Sequence, residues 1–364
     1  MNVTGHTTGV AAEAQGTRVR PASIRDVAAA AGVSYQTVSR VINGHPSVRP
    51  ATREVVLAAI DQLGFRPNRA ARALAGGPVQ SVTVLTDNTT LYGRSESIRG
   101  IEEAARAAGF NVGIRVVETD DSAEIRDAIS RAIEPRSALM VIAHDRVGNL
   151  ALAAVPDDVP MVALVSTPDG SEGDGKPWVW IDDRQAAFEA TRYLLDLGHR
   201  TVHYVAIPSS PQRLQGWRQA LETAGAPVPA PLNHGWTPQS GYLAGSELAA
   251  TRPEATAILC GNDDIAIGVT RALREAGRAI PAEVSVIGFD DIPIAEFLTP
   301  ALTTVRQDFA QLGRVAFAML RRLVEPEATF PAPPPPQPRL IVRESTGPLS
   351  TESQRSADKK RSTT

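Results

Sequence analysis

The sequence lacks the residues on which several common kinds of site and fold depend. It contains a single cysteine, Cys260, which excludes an internal disulfide and a cysteine-based zinc site. Its six histidines are scattered without the spacing of metal ligands, so we expect no metal site and no cofactor. No apolar run approaches the roughly 20 residues that span a bilayer, and the N-terminus lacks the apolar stretch of a secretory signal. We therefore expect a cytoplasmic protein that does not contact the membrane.

Basic residues outnumber acidic residues only at one end of the chain. The formal net charge is −3 at pH 7. Residues 1–77 nevertheless contain nine arginines against four acidic residues, whereas the remainder contains 28 basic and 36 acidic residues. A small basic head on an acidic body favours contact between the head and a polyanion such as a nucleic acid, although an excess of this size also arises by chance.

The N-terminal part of the chain carries the signals of three short helices. Ser23 is placed as the N-cap of the first helix, and Ser34 as the cap of a second helix over about 35–42. Pro50 suits the first turn of a third helix that runs to about Gly64. The apolar or small positions that we expect to face inward are Ile24, Val27, Ala28, Ala31, Val38, Val41, Ile42, Val56, Ala59, Ile60 and Leu63.

From Val79 onward, short β-branched runs alternate with helical stretches. Such alternation predicts parallel sheets covered by helices on both faces. The number of runs is too high for one sheet of five or six strands, so we expect two similar lobes. The sequence "PAPPPP" (331–336) predicts a stiff polyproline II connection. The predicted strands are 81–85, 111–117, 138–143, 160–165, 178–181, 201–207, 256–260 and 284–289, and helices near 94–109 and 122–134 follow the first two.

The first two helices, joined by a tight turn at Gly32, have the pattern of a helix-turn-helix motif. With Ala28 and Val38 at the contact between them, the polar side chains that begin the second helix face outward. A helix that presents its N-terminal turn to a major groove needs such side chains, because they form hydrogen bonds with base edges and phosphates. The alternative is a solvated face of a small helical bundle. The outward-facing residues are Ser34, Tyr35, Gln36, Ser39 and Arg40.

A longer stretch carries a specific resemblance. The segment "SIRDVAAAAGVSYQTVSRVINGHPSVRPATREVVLAAIDQLGFRPNRAARALAGG" resembles the DNA-binding head of the LacI/GalR family of bacterial repressors. The resemblance continues through "GHR", "GND", "VIGFDD" and "LTTVRQD" in the order of the family and covers residues 22–345. It implies a small all-α helix-turn-helix head and a two-lobed α/β core like that of periplasmic binding proteins, with doubly wound parallel sheets. It also implies a repressor of carbohydrate-utilisation genes rather than an enzyme.

By this resemblance the chain divides into five parts. They are a disordered leader (1–21), a helix-turn-helix domain (22–66), a hinge helix or linker (67–77), a core for effector binding and dimerisation (78–345) and a disordered tail (346–364). Within the core, we expect an N-lobe of about 78–177 plus 307–335 and a C-lobe of about 178–306 plus 336–345. The tail contains no leucine heptad, so we expect a homodimer on a palindromic double-stranded operator.

The resemblance also assigns residues that contact DNA. The base-reading residues are Tyr35, Gln36 and Arg40. The residues that hold the phosphate backbone are Ser34, Thr37, Ser39, Asn43, Arg53, Asn68 and Arg69. Leu74 in the hinge is expected to wedge into the minor groove and kink the duplex, and the alternative is an ordinary linker residue or one packed on the core. At nine residues, the segment "PNRAARALA" is too short for a helix that is stable alone in water.

The effector is expected to bind between the lobes, at the carboxyl ends of their strands. The expected contacts follow predicted strands or match the family pattern, and they are Arg213, Asp290, Asn262, Trp236, Phe309, Tyr92, Asp87 and Asp264. The polar members of this set, with an aromatic ring over an apolar sugar face, favour a saccharide or glycoside. The structural alternatives are Asp290 as a turn residue, Trp236 as part of the core, and Asp182, Asp183 and Asp263 as helix caps.

One position departs from the family pattern. In a member with a similar recognition helix, an aspartate at the end of the strand that begins near residue 160 contacts the sugar, and here the corresponding residue is Val165. The loop that follows, "STPDGSEGDGKP", differs as well. We therefore expect a similar operator preference together with a different effector.

Two alternatives to a saccharide-controlled repressor stay open at the level of the sequence. An enzyme with a DNA-binding head would need a phosphate-binding glycine-rich loop, a metal cluster or a nucleophile constellation, and the sequence contains no recognisable pattern of these kinds. The second alternative keeps the regulator but has a purine or another metabolite as effector or corepressor. The sequence does not decide between release and promotion of DNA binding, and release is the expectation for a sugar-type pocket.

Overall fold

Two units of unequal size make up the chain, residues 1–77 and 78–364. The computed structural model describes residues 22–42, 45, 47–65, 81–133, 137–166, 175–208, 210–329 and 331–349. The predicted leader (1–21) and hinge (67–77) therefore lie outside the described residues, as does most of the predicted tail. In the described parts of the chain, no helix combines the length and the apolar character needed to cross a bilayer.

The smaller unit contains the three predicted helices. They are α1 (Ile24–Ala31), α2 (Tyr35–Ile42) and α3 (Pro50–Gln62). Ser23 and Asp26 form a capping box at the start of α1. The Ser23 hydroxyl accepts a hydrogen bond from the Asp26 N–H (3.3 Å), and the Asp26 carboxylate accepts one from the Ser23 N–H (2.7 Å). Gly32 ends α1 in the left-handed conformation (φ 62°), which glycine adopts without a steric penalty.

One valine from each helix forms the centre of this unit. Val27, Val38 and Val56 have no exposed surface. Burying each of these side chains stabilises the fold by about 1.5–3 kcal/mol relative to leaving it in water. Ile60 is half-buried beside them. The expectation was wrong for Leu63, which is 38% exposed because α3 ends before it and the helical periodicity no longer applies.

The larger unit alternates strands and helices from Ser81 onward. In chain order the elements are β1 (Ser81–Thr86), α4 (Tyr92–Ala107), β2 (Asn111–Val116), α5 (Ser122–Ala132), β3 (Ser137–Ala143), α6 (Arg146–Ala154), β4 (Met161–Val165), β5 (Trp178–Val179), α7 (Asp183–Asp196), β6 (His203–Ala206), α8 (Pro211–Thr223), β7 (Leu232–Asn233), α9 (Pro238–Thr251), β8 (Ala257–Cys260), α10 (Asp263–Glu275), β9 (Ser285–Asp290), a 3₁₀ turn (Ala295–Phe297), β10 (Thr303–Arg306), α11 (Phe309–Val324) and β11 (Arg339–Ile341). The two-lobed α/β fold is confirmed.

The N-lobe is built on a parallel five-stranded sheet in the order β2-β1-β3-β4-β5. Successive side chains of its strands alternate between two apolar layers, as expected of a sheet covered on both faces. Met140 and Ile142 of β3 pack in the layer with α4 and α11, whereas Leu139 and Val141 pack in the layer with α5 and α6. This arrangement leaves the carboxyl ends of the strands accessible at one edge of the lobe.

The last helix of the N-lobe comes from a distant part of the chain. α11 packs against α4, and glycines allow their backbones to approach closely. A Cβ atom on Gly100 would overlap the carbonyl oxygen of Ala310, and one on Gly313 would overlap that of Ser97. The N-lobe is therefore complete only when α11 has crossed back from the C-lobe.

The C-lobe is built on a six-stranded sheet in the order β11-β10-β9-β8-β6-β7. Only β11 runs antiparallel to its neighbour, β10, and the other pairs are parallel. Tyr204 and Phe289 pack with α7 and α8 on one face, while Ile258 and Cys260 pack with α9 and α10 on the other. The sheet thus repeats the two-layer plan of the N-lobe.

The structure places two boundaries differently from the sequence prediction. β5 pairs with β4, so the N-lobe extends to Val179 rather than to about residue 177. The polar tail was expected to begin at residue 346, but the chain stays packed on the C-lobe as far as Leu349. The Gly347 N–H donates to Ser285 Oγ (3.1 Å), and the Leu349 N–H donates to the Leu197 carbonyl (3.1 Å). Backbone hydrogen bonds, which side-chain polarity does not reveal, cause this difference.

Candidate functional site

Polar side chains of α2 face away from the core of the smaller unit. Val38 and Val41 point inward and are buried. Gln36 and Arg40, four residues apart, lie on the same exposed side of the helix. Tyr35 at the start of the helix is 53% exposed. The three predicted base-reading residues are therefore accessible together, and we call them the outer strip of α2.

The residues predicted to hold phosphates occupy more varied positions. Ser34 Oγ accepts from the Thr37 N–H (3.1 Å) and lies 2.9 Å from Thr37 Oγ1, so this pair caps α2. Ser39 is half-buried on the same helix. Arg53 Nη2 donates to the His45 carbonyl (3.0 Å), which ties the segment after α2 to α3. Asn43, Asn68, Arg69 and Leu74 lie outside the described residues.

A cleft lies between the two lobes of the larger unit. It is situated where strands of both sheets end, as expected for an open α/β fold. The N-lobe wall is largely apolar or aromatic, and the C-lobe wall is largely polar. The N-lobe lining consists of Leu91, Tyr92, Gly93, Arg94, His144, Val165, Ser166, Phe309 and Leu312. The remaining lining consists of Ile181, Asp183, Ile207, Ser210, Arg213, Trp236, Asn262, Asp264, Asp290 and Gln307.

Arg213 of α8 links several groups of the polar wall. Its Nε donates to Asp183 Oδ2 (2.8 Å), its Nη1 donates to the Gly261 carbonyl, and its guanidinium carbon lies 4.1 Å from the centroid of the Phe289 ring. Burial lowers the pKa of Arg213, but the carboxylates of Asp183 and Asp290 raise it by more, so the shift is upward. Arg213 therefore stays charged inside the cleft.

Asp290, the last residue of β9, has a strained backbone and a carboxylate whose hydrogen-bonding capacity is not filled by the described residues. Its φ of 109° lies in a region that non-glycine residues rarely adopt, at a cost of about 1–3 kcal/mol. Its Oδ1 is buried and accepts no hydrogen bond from the described residues. Arg213 Nη2 lies 3.5 Å from this oxygen, an ion pair without the alignment of a hydrogen bond. Burial raises the pKa of Asp290 well above its ordinary value.

Asn262 and Trp236 are joined in the polar wall. Asn262 is the N-cap of α10, and its Oδ1 accepts from the Ile265 N–H (2.8 Å). Its Nδ2 donates to the Trp236 carbonyl (3.0 Å). Both polar atoms of Asn262 thus hold the wall in place while the residue lines the cleft. Trp236 is half-buried and lines the cleft rather than being fully enclosed in the core.

Of the three aspartates considered as helix caps, Asp182, Asp183 and Asp263, the structure uses one as a cap. Asp182 caps α7, as expected, and accepts from the Gln185 N–H (3.0 Å). Asp183 does not serve as that cap, because its carboxylate is turned into the cleft toward Arg213. Asp263 is not the cap of α10 either: its carboxylate accepts from Thr304 Oγ1 (2.6 Å) and the Ile292 N–H (2.8 Å). Burial raises the pKa of Asp263 to about 7.

Two aromatic residues form the opposite wall. Tyr92 and Phe309 meet edge to face, with ring centroids 6.2 Å apart and an angle of 79° between the rings. Gly93 lies against Phe309, and a Cβ atom at this position would come 2.9 Å from the ring. Burial raises the pKa of Tyr92 to about 12, so the hydroxyl remains protonated. Both predicted aromatic contacts therefore face the cleft.

The structure places Asp87 behind the N-lobe wall of the cleft. Asp87 does not line the cleft but supports Arg94, a residue that the sequence analysis missed. Arg94 is 4% exposed, and its Nε donates to Asp87 Oδ1 (2.6 Å) while its Nη2 donates to Asp145 Oδ2 (3.0 Å). The guanidinium carbon of Arg94 lies 5.5 Å from the centroid of the Trp236 ring. Asp87 thus positions a cleft residue from behind.

Further polar residues of the cleft were missed, among them Asp183, Gln307 and His144. Asp183 Oδ1 accepts from Gln307 Nε2 (3.0 Å), so this aspartate is bound on both of its oxygens. His144 follows β3 directly, and burial lowers its pKa to about 3, which keeps the imidazole neutral. The signal for His144 was its place after a predicted strand, the same signal that indicated Asn262.

Comparisons with known proteins agree with the two-part plan of the chain. Residues 23–68 match the family described as bacterial regulatory proteins, lacI family, and residues 191–346 match a periplasmic binding protein-like domain. The chain is 33% identical to the HTH-type transcriptional regulator CelR of Thermobifida fusca, covering 90% of this chain and 99% of that protein. It is 31% identical to the lactose operon repressor of Escherichia coli (strain K12), covering 85% of this chain and 87% of that protein.

The fold also matches solved structures. The structure of the lac repressor dimer bound to operator and the anti-inducer ONPF aligns with a TM-score of 0.78 and 29% identity. The alignment covers 91% of this chain and all of that chain. The likeness therefore includes the helical head as well as the two lobes.

Proposed function

This chain belongs to the LacI family of bacterial regulatory proteins, and we propose that it represses transcription as a homodimer on a palindromic operator and is released by a small saccharide or glycoside. Membership makes the chain a DNA-binding transcriptional regulator and confirms the prediction that it is not an enzyme. The observation that carries the proposal is the outer strip of α2, in a chain whose larger unit contains a lined cleft.

The outer strip of α2 is proposed to read bases in a major groove. A glutamine side chain forms paired hydrogen bonds with adenine, and an arginine side chain does so with guanine. Gln36 and Arg40 are exposed on the same side of α2, and Tyr35 precedes them at its start. The phenol ring of Tyr35 can contact a thymine methyl while its hydroxyl donates to a phosphate. Ser34, Thr37, Ser39, Asn43 and Arg53 are proposed to contact the backbone nearby.

The hinge is proposed to couple the head to the core. Residues 67–77 connect the helix-turn-helix domain (22–66) to the core, and Asn68 and Arg69 are proposed to contact the backbone there. A helix of this length is unstable alone, so we propose that two copies form it together on DNA, with Leu74 inserted into the minor groove. The related lac repressor dimer bound to operator supports a twofold assembly of this kind.

The cleft is proposed to bind the effector. Arg213 and Asp290 supply a donor and an acceptor, which suit adjacent hydroxyl groups, and Asn262, Asp264 and Trp236 complete the C-lobe side. Tyr92 and Phe309 offer apolar surface to the less polar face of a sugar ring. A saccharide matches both walls, because it has hydroxyl groups for the polar wall and a less polar ring face for the aromatic wall.

Release is proposed to follow from a shift between conformations. An effector that binds better to one arrangement of the lobes favours that arrangement and changes the spacing of the two hinges in the dimer. If the hinges no longer pair, affinity for the operator falls by about 5- to 150-fold, the usual range of coupling between two sites. The protein is proposed to act in the cytoplasm, on DNA of the nucleoid.

Selection of duplexes from a random pool by the full chain, followed by gel-shift titration, tests this function. We expect a palindromic duplex bound at least about 1,000-fold more tightly than random DNA. Saccharides and nucleobases are then added to the complex, and we expect a saccharide to release it. No preference for any palindrome would refute the proposed function, and release by a purine alone would replace the saccharide with the alternative effector.

A further inference from the structure

Carboxyl groups outnumber guanidinium groups in the lining of the cleft. Asp183, Asp264 and Asp290 line it, together with the two arginines Arg94 and Arg213. Asp87 and Asp145 stand behind Arg94 and form ion pairs with it. Three carboxyl groups and two guanidinium groups thus line the cleft, and two further carboxylates pair with Arg94 from behind, in a partly enclosed volume where charges interact more strongly than in water.

Both arginines are already engaged by protein groups. Arg94 donates to two carboxylates, at 2.6 Å and 3.0 Å. Arg213 donates to Asp183 (2.8 Å) and to the Gly261 carbonyl, and it forms an ion pair with Asp290 (3.5 Å). An anionic ligand group at either arginine would have to displace a buried carboxylate or be placed beside one.

Two acceptors of the polar wall retain capacity for hydrogen bonding. Asp290 Oδ1 is buried and accepts no hydrogen bond from the described residues. The carboxylate of Asp264 lines the cleft, and no hydrogen bond or ion pair links it to any described part of the chain. Burial raises the pKa of both carboxyl groups. The carboxyl groups of Asp264 and Asp290 can therefore accept hydrogen bonds from a ligand.

We infer that the effector carries no negative charge and that it donates hydrogen bonds, from hydroxyl or ammonium groups, to Asp264 and Asp290. The inference rests on the proposed function and narrows its ligand class to neutral saccharides and amino saccharides. Phosphorylated sugars and sugar acids are excluded. Asp264 is the residue that sets this selectivity, because it has no cation of the described chain to balance it.

Like charges brought together in a desolvated site cost several kcal/mol, so an anionic derivative should bind at least about 100-fold more weakly than its neutral parent. An ammonium group in place of a hydroxyl brings a positive charge near these carboxylates instead of a negative one. We expect its affinity to stay within about tenfold of the parent or to exceed it, because a donor with positive charge strengthens a hydrogen bond to a carboxylate.

The test uses the full chain and calorimetric titration with matched sugars. Glucose, galactose and cellobiose are each measured beside their amino, uronic-acid and phosphate derivatives. We expect at least one neutral or amino compound to bind, and its anionic derivatives to bind at least about 100-fold more weakly. An anionic derivative within about tenfold of its parent, binding by anionic compounds alone, or no binding in the whole panel would each overturn the inference.

Asp264→Asn identifies the residue responsible. The amide keeps the shape and removes the charge, so we expect the ratio between neutral and anionic affinities to shrink by about tenfold. Asp157→Asn, a substitution at a 96% exposed aspartate, is the matched control and should leave the ratio unchanged. An unchanged ratio in Asp264→Asn would contradict the role of Asp264, since a purely structural residue would alter all affinities alike.

Gel shifts with the selected operator separate this inference from the proposed function. Release of the operator by a phosphorylated sugar would leave the regulator intact and refute the charge selectivity. Failure to bind any preferred operator would instead refute the proposed function itself.

Discussion

The guanidinium carbon of Arg94, in the N-lobe, lies 5.5 Å from the centroid of the Trp236 ring, in the C-lobe. The pair crosses the cleft and connects the contacts that hold Arg94 to the contacts that hold Trp236. Asp87 and Asp145 hold Arg94 from behind, and Asn262 holds the Trp236 backbone through its side-chain amide. The two walls are thus in direct contact at a place that is fixed on both sides.

Replacement of Arg94 by methionine should destabilise the larger unit. It leaves the carboxylates of Asp87 and Asp145 close together without their cation, and removing one partner of a buried ion pair costs about 3–5 kcal/mol. Urea unfolding followed by circular dichroism measures the loss. Arg99→Met is the matched control: Arg99 is 49% exposed on the same helix, and exposed pairs contribute about 0–1 kcal/mol. Equal effects of the two substitutions would contradict the role assigned to Arg94.

Gln36→Ala and Arg40→Ala should relax discrimination between operator sequences. Each removes a side chain that can pair with a base edge, and a good pair of this kind discriminates by about 1–3 kcal/mol. Gel shifts with the selected operator and with single-base variants measure the change at each base pair. Gln62→Ala, an exposed glutamine of α3, is the control and should preserve discrimination. Unaltered selectivity in both variants would rule out this face of α2 as the base reader.

Asp290→Asn should weaken ligand binding without lowering the stability of the fold. Burial raises the pKa of Asp290, so ionisation of this carboxyl group is less favourable in the folded chain than in the unfolded chain, and the uncharged amide should not lower the melting temperature. The loss of a charged acceptor should weaken saccharide binding by about 10- to 100-fold, since hydrogen bonds to charged groups contribute about 1.5–3 kcal/mol.

Thermal melting and titration calorimetry on the same samples measure both quantities. Asp196→Asn, at a 69% exposed position, provides the control. A large drop in melting temperature together with unchanged binding would reverse the assignment of Asp290 to the ligand site.

Acid should destabilise the C-lobe through His203. Burial, and then the positive charge of Arg252, lowers the pKa of His203 from 6.5 to about 4. The unfolded chain therefore binds more protons than the folded chain between these values, and stability falls as the pH drops from 6.5 to 4. The largest slope from one such group is about 1.4 kcal/mol per pH unit.

Urea unfolding at a series of pH values measures this slope. His203→Gln should show a shallower loss of stability over the same interval, whereas His234→Gln, at a partly exposed position, should follow the parent protein. Parallel curves for the parent and His203→Gln would show that another group is responsible.

Periodicity in the sequence was sufficient to predict most of the architecture. The three head helices and the longer strands were found because their apolar residues repeat at the spacing of a helix or in buried runs. β7, β10 and β11 were missed as strands, because their pairing depends on distant neighbours. Short segments of this kind are defined by tertiary contacts rather than by local pattern.

The sequence predicted those cleft residues that follow a strand. It did not predict those whose orientation is set by an ion pair with a distant residue. Asn262 and Asp290 were found from their positions next to strands, and the structure places both in the cleft wall. Arg94 was missed because it lies within a helix, where an arginine is ordinarily exposed to solvent. Asp183 was misread because two adjacent aspartates look like a helix cap, and only the position of Arg213 distinguishes them.

The return of α11 to the N-lobe has a consequence for synthesis on the ribosome. The head needs only residues 22–65 for its core and can fold as soon as this part of the chain emerges. One apolar layer of the first sheet, by contrast, is covered only by α4 until the whole second sheet up to β10 has been translated and α11 has followed. During that interval the nascent chain exposes apolar residues that are buried in the finished protein.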